Sequence, residues 1–477
     1  MPTYAITPED VLFFRDGRPM EAGAGSGGHG ARWPEPSVIF DALHAALHRA
    51  LPQREEWEHR HDWARSSQRP HKGDQSQRFG SLATAGPFPM REGAWFFPRP
   101  QDVTTEDRLA PTLLPMKNPG GHSDLPTPLR HPLASLAEPS KEEPSPWWTK
   151  QAIEAYLSGG DKLPAQPWAF SDDSLFAREW HTGIAIDPDT QTTGRGEAAG
   201  RIYSAQYLRL RDGVTLGIHA TMPMKNGHPD GRKERLTELF PAHRTLIVGG
   251  QQRACQVEPL ESQNKTVALE RLLPLSQRIT GERIKWLLLS PAVFPAIADD
   301  KPNISAHPGG WLPNWVAPAD NFCIRQGDKM VEVPSGQVLL KGEPPRGRGE
   351  SREAWRDRVR MGRFLDCRLV AARIPKPIVL TGWTERLHLL EHAKADGDES
   401  LRHGPRPTLL AVPAGAVYYF EGTEAPHLAE VLSWHGGQAE NIQAIQHRRS
   451  TLMGEKGFGL GVCGTWSFYE DAKGLPT

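Results

Sequence analysis

Two runs of glycine in this chain lie next to cations, a pairing suited to phosphate recognition. Arg15, Arg18 and Arg32 flank the first run, "GAGSGGHG". Arg448, Arg449 and Lys456 lead into the second, "GFGLGVCG", residues 457–464. A third cationic group runs from Arg346 to Arg373, where arginines outnumber acids. Guanidinium groups fork phosphate oxygens bidentately, and a backbone bare of side chains lets N–H donors join them. Glycine also costs entropy inside regular structure, so the second run has two readings: a kinked strand in close packing, or a cradle for a phosphate. His29, beside Arg32, suits a further chemistry, since metal-free RNA cleavage needs a histidine near the attacking 2′-hydroxyl. The competing reading is a loop histidine that touches a phosphate, a ribose or a partner protein. Taken singly, each cationic cluster also fits a solvated surface. Arg346 to Arg363 is interspersed with Glu350, Glu353 and Asp357, the pattern of an exposed helix with internal ion pairs.

Other chemistries find little support. Gly23, Gly25 and Gly28 fit G-x-G-x-x-G, but "RDGRPMEA" separates them from the preceding strand and the helix starts only after Pro36. A dinucleotide fingerprint needs a tight strand-to-helix turn. Neither a P-loop, a G-x-S-x-G elbow nor H-E-x-x-H occurs. His44 and His48 share a helix face without a third ligand, and "HRHD", His59 to Asp62, lies in a polar segment. The four cysteines, Cys255, Cys323, Cys367 and Cys463, are far apart and form no C-x-x-C, which predicts buried thiols in a reducing cytoplasm. No cofactor and no metal are expected.

The elements that would position these residues belong to a long chain. At 477 residues the length favours two or more domains. No apolar run is long enough to span a membrane, and the N-terminus lacks a signal-peptide pattern. With 56 basic and 57 acidic side chains, the balance excludes a free-standing, strongly basic nucleic-acid binder. RNA binding would have to come from a local patch, within an assembly that shares the work.

The opening "YAITPEDVLFFRDG" reads as a strand. A glycine loop follows, and then a helix over "SVIFDALHAALHRAL" with Ile39, Leu43, Ala46, Leu47 and Ala50 on one face. Ser37 is its expected N-cap, with Asp41 in the early turns. Dense prolines between about Pro98 and Pro167 predict a long insertion over the surface, partly disordered without a partner and holding one short helix at "WWTKQAIEAYLSG". "IYSAQYLRL" and "VTLGIHA" flank Asp212-Gly213, a hairpin signal. "HRTLIVGGQQRACQVEPL" is a strand broken by a Gly-Gly turn. A second β-rich set begins near Arg283 and closes on the glycine strand. Two β-rich halves with few helices indicate an α+β chain, and no short repeat suggests a solenoid.

Taken in order, "DVLFFRDGRPM", "GGHGARWPEPSVIFDALHAAL", "REWHTGIAID…GRIYSAQYLRLRDG", "LIVGGQQR", "WLLLSPAVF…GGWLPNW", "VLTGW", "VPAGAVYYF" and "EKGFGLGVCGTW" resemble the third Cmr subunit of type III-B CRISPR effectors, within the RAMP superfamily. The resemblance runs from about residue 4 to 468 and is weakest from about 98 to 168. It implies two ferredoxin-like (RRM-related) domains, 1–275 with an insertion at about 53–168, and 276–477 with a C-terminal glycine-rich loop. It also implies a non-catalytic subunit that grips the 5′ repeat-derived tag of the guide RNA. Such a subunit joins the large cyclase/polymerase subunit to the first backbone subunit in antiviral defence. Site residues implied in this way, together with the charge reading, are Phe14, Arg15, Arg18, His29, Arg32, Arg448, Arg449, Lys456, Gly457, Phe458, Gly459 and Gly461. The alternative is a metal-independent RAMP endoribonuclease that processes precursor guide RNA.

Overall fold

The structure, a computed structural model, describes residues 3–17, 27–50, 82–117, 124–138, 140–160, 167–184, 186–187, 189–193, 202–221, 236, 244–260, 279–326, 329–340, 351, 354, 362–381, 383–385, 403–405, 408–432 and 452–472. The chain passes back and forth between two compact units. The first holds Met1–Gly93, Asp173–Val267 and Ile378–Leu410; the second holds Ala94–Asp172, Ala268–Pro377 and Ala411–Thr477.

The main elements begin with β1 (Thr3–Pro8), α1 (Pro36–Ala50), β2 (Ala83–Arg91), β3 (Ala94–Pro98), β4 (Trp147–Thr149), α2 (Lys150–Leu157) and β5 (Ala169–Phe170). Then come β6 (Phe176–Ile184), β7 (Ile202–Leu210), β8 (Val214–Thr221), β9 (Arg244–Val248) and β10 (Arg253–Pro259). The last are β11 (Arg283–Leu288), β12 (Arg368–Arg373), β13 (Val417–Glu421), α3 (Ala425–Leu432) and β14 (Gly461–Thr465).

In the first unit an antiparallel sheet runs β9-β10-β1-β8-β2. Helix α1 lies against β2 and β9 and buries Ile39, Phe40, Leu43, Ala46 and Leu47. Burying each large member of that stripe contributes about 1.5–3 kcal/mol. The helix begins at Pro36, so Ser37 is inside the first turn rather than its cap, and Asp41 lies beyond that turn. Proline suits the first helical position, where the missing N–H would have no partner anyway. The Asp212-Gly213 turn is present, with Gly213 at φ 73, but it does not close a hairpin. Strand β7 pairs with β6 in a nine-residue antiparallel register, and β8 pairs with β1 and β2. The turn joins strands of different sheets because β7 finds a partner in a segment that sequence reading left without an element.

The second unit is built on an antiparallel sheet ordered β12-β13-β11-β14. Ile284, Trp286, Leu288, Tyr418 and Phe420 form one core with Leu428 and Leu432 of α3. The alternate residues Lys285, Leu287, Val417, Tyr419 and Val462 point the other way and are equally buried. What covers them is the proline-rich segment. Asp102 accepts hydrogen bonds from Tyr156 (2.8 Å) and Tyr419 (2.9 Å), and Lys285 Nζ lies 3.5 Å from the centre of the Tyr156 ring. Trp147, Trp148, Tyr156 and Trp168 are buried within it, and Trp148 meets Trp168 edge-on at 5.3 Å. The segment is therefore core around Asp102 and from Trp147 to Tyr156, while the described residues of 131–146 are exposed or half-buried, as expected of a surface insertion. Its prolines confine strands to two or three residues, and its aromatics supply the burial that regular elements otherwise would. Helix α2 forms where a short helix was expected, capped by Thr149, whose hydroxyl accepts from Ala152 N–H.

Candidate nucleic-acid interface

The edge of β7 away from β6 takes up two short pieces of chain. Leu12 and Leu208 exchange backbone hydrogen bonds at 2.8 Å each. Gly28 N–H donates to Ser204 O (2.6 Å), and Gln206 N–H donates to Gly28 O (2.8 Å). The two pieces also bond each other, Asp16 N–H to His29 O at 3.1 Å and Ala31 N–H to Phe14 O at 2.6 Å. This close seating explains the glycines. A Cβ at Gly30 would lie 2.6 Å from Gln206 O, and one at Gly27 would lie 2.8 Å from the Trp180 ring. Gly17 in "RDG" is similarly pressed against Val379.

Arg15 and His29 lie on these two pieces of chain, and Arg32 directly follows the second. Arg15 and Arg32 are exposed, and His29 is half-buried with its ring edge-on to Trp180, 5.3 Å away. Trp180 itself is 49% exposed, and its face of the β6–β7 pair also carries Ile184 and Ile202, both about half exposed. Phe14 is buried at 5% exposure against Gly249, so it presents no ring to a base. Its neighbour Phe13 is the half-exposed one, 5.3 Å from Tyr207. Trp33, at the exit of the loop, donates from Nε1 to Pro87 O (2.8 Å) and fixes the approach to α1. Arg18 lies outside the described residues. Sequence reading missed Trp180 and Tyr207. The signal available was period-2 alternation in "REWHTGI" and "IYSAQYL", which sets Trp180 and Tyr207 on opposite faces of one hairpin.

The terminal glycines, in the second unit, are arranged differently. Gly457 and Gly459 have φ of 105° and 65°, conformations that favour glycine. Gly459 N–H donates to Pro291 O (2.6 Å), Leu460 N–H to Ser290 Oγ (2.8 Å), and Ser290 Oγ to Gly457 O (2.7 Å). A Cβ at Gly461 would fall on Trp286 Nε1, and one at Gly464 would lie 3.0 Å from Leu157 O. Phe458 is fully buried, and Lys456 is 4% exposed. The run thus forms the turn into β14, an edge strand of its sheet, and the donors at 459 and 460 are spent on the chain itself. Arg448 and Arg449 lie outside the described residues.

Elsewhere, Arg363 pairs with Glu424 at 2.9 Å, while most of the stretch before it lies outside the described residues. His44 stacks on Phe40 within α1. "HRHD" lies outside the described residues. Among the described residues no three His, Cys, Asp or Glu side chains are grouped to hold a metal ion. Cys255 and Cys367 are buried, and burial pushes both thiols up to about 12. Cys323 and Cys463 are only partly buried. No described helix is long and apolar enough to cross a membrane.

Comparison with solved structures gives remote likenesses. A chain of a type III-B Cmr-beta complex, solved by cryo-EM with cognate target RNA and AMPPnP, is similar at 13% identity and a TM-score of 0.34, covering 87% of this chain and 86% of that one. A chain of the same kind of complex with cognate target RNA alone gives 14% identity and a TM-score of 0.35, again covering 87% and 86%. A chain of the Csm3–Csm4 subcomplex of a type III-A interference complex gives 10% identity and a TM-score of 0.37, covering 88% and 94%. No curated protein sequence matches. The family described as CRISPR-associated protein (Cas_Cmr3) matches residues 4–466, nearly the whole chain, and this protein therefore belongs to the Cas_Cmr3 family of CRISPR-associated proteins.

Proposed function

We propose that this protein is a non-catalytic, guide-RNA-binding subunit of a type III-B effector in the cytoplasm. It holds the 5′ repeat-derived tag and bridges the large cyclase/polymerase subunit to the first backbone subunit. Each unit is read as a ferredoxin-like module. The observation that carries the reading is that Arg15 and His29 lie on the two pieces of chain seated beside β7, with His29 against half-exposed Trp180 and exposed Arg32 a few residues on. Single-stranded RNA is held by cations along its backbone and by planar side chains against its bases. A net charge of −1 suits a subunit that shares its RNA with others.

The endoribonuclease alternative requires His29 to take a proton. Its ring packs against the Trp180 indole, which positions an imidazole without relaying a proton. Incubating the purified protein with repeat RNA in EDTA decides between them: RNA is expected to stay intact, and cleavage that disappears in His29→Ala would overturn the scaffold reading. Reconstitution tests the bridge. Leaving this subunit out should prevent the large subunit from co-purifying with the first backbone subunit, and undiminished co-purification would refute that role.

A further inference from the structure

On the other face of the same hairpin, the first unit holds a cavity of about 250 Å³ that the clusters above do not include. Glu9 and Asp10, just after β1, form one wall, and Gln251, Gln252 and Arg253, at the turn from β9 to β10, form another. The second wall is strained. Gln251 has φ 58 and ψ 25, and Gln252 has φ 50. Two successive non-glycine residues in the left-handed region persist only where their surroundings hold them, and such strain concentrates at binding sites.

The surroundings here also orient a side chain. Gln251 Oε1 accepts from the Tyr207 hydroxyl and from Arg253 Nη2, the latter at 3.0 Å. The Arg253 guanidinium lies 5.0 Å over the Tyr207 ring, which also packs against Phe13 and His181. With its oxygen doubly engaged, the carboxamide is locked, and Nε2 is left as a fixed pair of donors. Across the cavity, Glu9 commits Oε1 to Gln256 Nε2 (2.8 Å), and Asp10 commits Oδ1 to Arg209 Nη1 (3.0 Å). Each carboxylate keeps its other oxygen as an acceptor, and the Asp10 side chain is 58% exposed.

A ligand that satisfies both walls must carry an acceptor beside adjacent N–H donors on one rigid, planar edge. Guanine does so, with O6 next to N1–H and the N2 amine. Adenine reverses the order, and uracil lacks the second donor. We infer that this cavity reads a guanine of the bound RNA, with Gln251 Nε2 donating to O6 and the carboxylates accepting from N1–H and the amine. The inference rests on the RNA-binding reading above and adds base specificity to it.

The test uses the full-length protein, tag-bearing RNA octamers and fluorescence anisotropy. Each guanosine is replaced in turn by inosine, which lacks only the N2 amine, or by adenosine. One guanosine is expected whose change to inosine weakens binding about tenfold, with adenosine weakening it further. Asp10→Asn keeps an acceptor for Arg209 and should bind the guanosine and inosine octamers equally, with Glu9→Gln as the second variant and thermal melts to check folding. Equal affinity of the wild type for every octamer overturns the guanine pocket and leaves the RNA-binding reading standing. Discrimination retained in both variants also overturns it, and no binding of any octamer overturns both readings.

Discussion

The two glycine runs of this chain both lie beside cations, and the structure uses them in opposite ways. Gly27 to Gly30 lies along β7, where glycine allows the backbone to approach a strand while Arg15, Arg32 and Trp180 remain accessible. The terminal run instead goes inside. Its N–H groups at 459 and 460 bond Pro291 and Ser290, Gly461 makes room for the Trp286 indole, and Phe458 is enclosed. Glycine spacing reports that something comes close to the backbone. Whether that partner is a ligand or another part of the fold depends on residues far away in sequence.

Burial is deepest around Asp102 in the second unit. Asp102→Ala removes the acceptor shared by the Tyr156 and Tyr419 hydroxyls and leaves Lys285 beneath the second unit's sheet without its counter-charge. Burial already lowers the Lys285 ammonium to about 8 against the pull of Asp102. The loss should be about 3–5 kcal/mol in urea unfolding, and Asp102→Ala combined with Lys285→Met should recover much of it. A loss under about 1 kcal/mol would show that the proline-rich segment is not held by this network. Gly461→Ala comes next. The added carbon displaces the Trp286 indole, at a cost of about 1–3 kcal/mol. A neutral outcome would mean that β14 has room to move, and the cradle reading of the loop would return.

A paired measurement sharpens the contrast. Arg15→Ala with Arg32→Ala should weaken tag binding by about 1–3 kcal/mol for each lost charged contact while costing less than about 1 kcal/mol of stability, since both side chains are exposed. Phe458→Leu should do the reverse, costing about 1 kcal/mol of stability with unchanged affinity, because its ring is enclosed. Affinity lost in Phe458→Leu and retained in the double arginine variant would invert the assignment of the two runs. The same pair shows what was legible in the sequence. The ordered motifs point to the family, and local pattern locates α1, α2, β1 and β7 to β14 but not β2, β3 or β6. Trp180, the buried state of Phe14 and the packing of 94–172 were not legible, because each depends on which distant strand β7 or β11 meets. "IYSAQYLRL" alternates correctly whether its partner is β8 or β6, and only β6 brings Trp180 to His29.

The smallest expected effects concern pH, and they should have opposite signs in the two regions. In the first unit, Glu35 Oε2 at the start of α1 is shielded from water without a hydrogen-bond partner, and burial raises the carboxyl from 4.5 to about 7. The folded chain therefore keeps this proton longer than the unfolded one. Its contribution is fully present below about pH 4.5 and is lost as pH rises to about 7. In the second unit, His307 accepts from Gly309 N–H at Nδ1 (2.9 Å) and donates from Nε2 to Val316 O (2.9 Å), an arrangement only the neutral ring can make. Burial lowers this imidazole below 6.5, so its contribution is full above that value and is lost as pH falls through the folded value. Amide exchange read separately at α1 and around residues 307–316, from about pH 5 to about pH 8, should show protection falling with rising pH at the first and rising at the second. Glu35→Gln should flatten only the first trend and His307→Asn only the second. A common slope in both regions would mean that the titrations are set by the net charge of the chain rather than by these two buried groups.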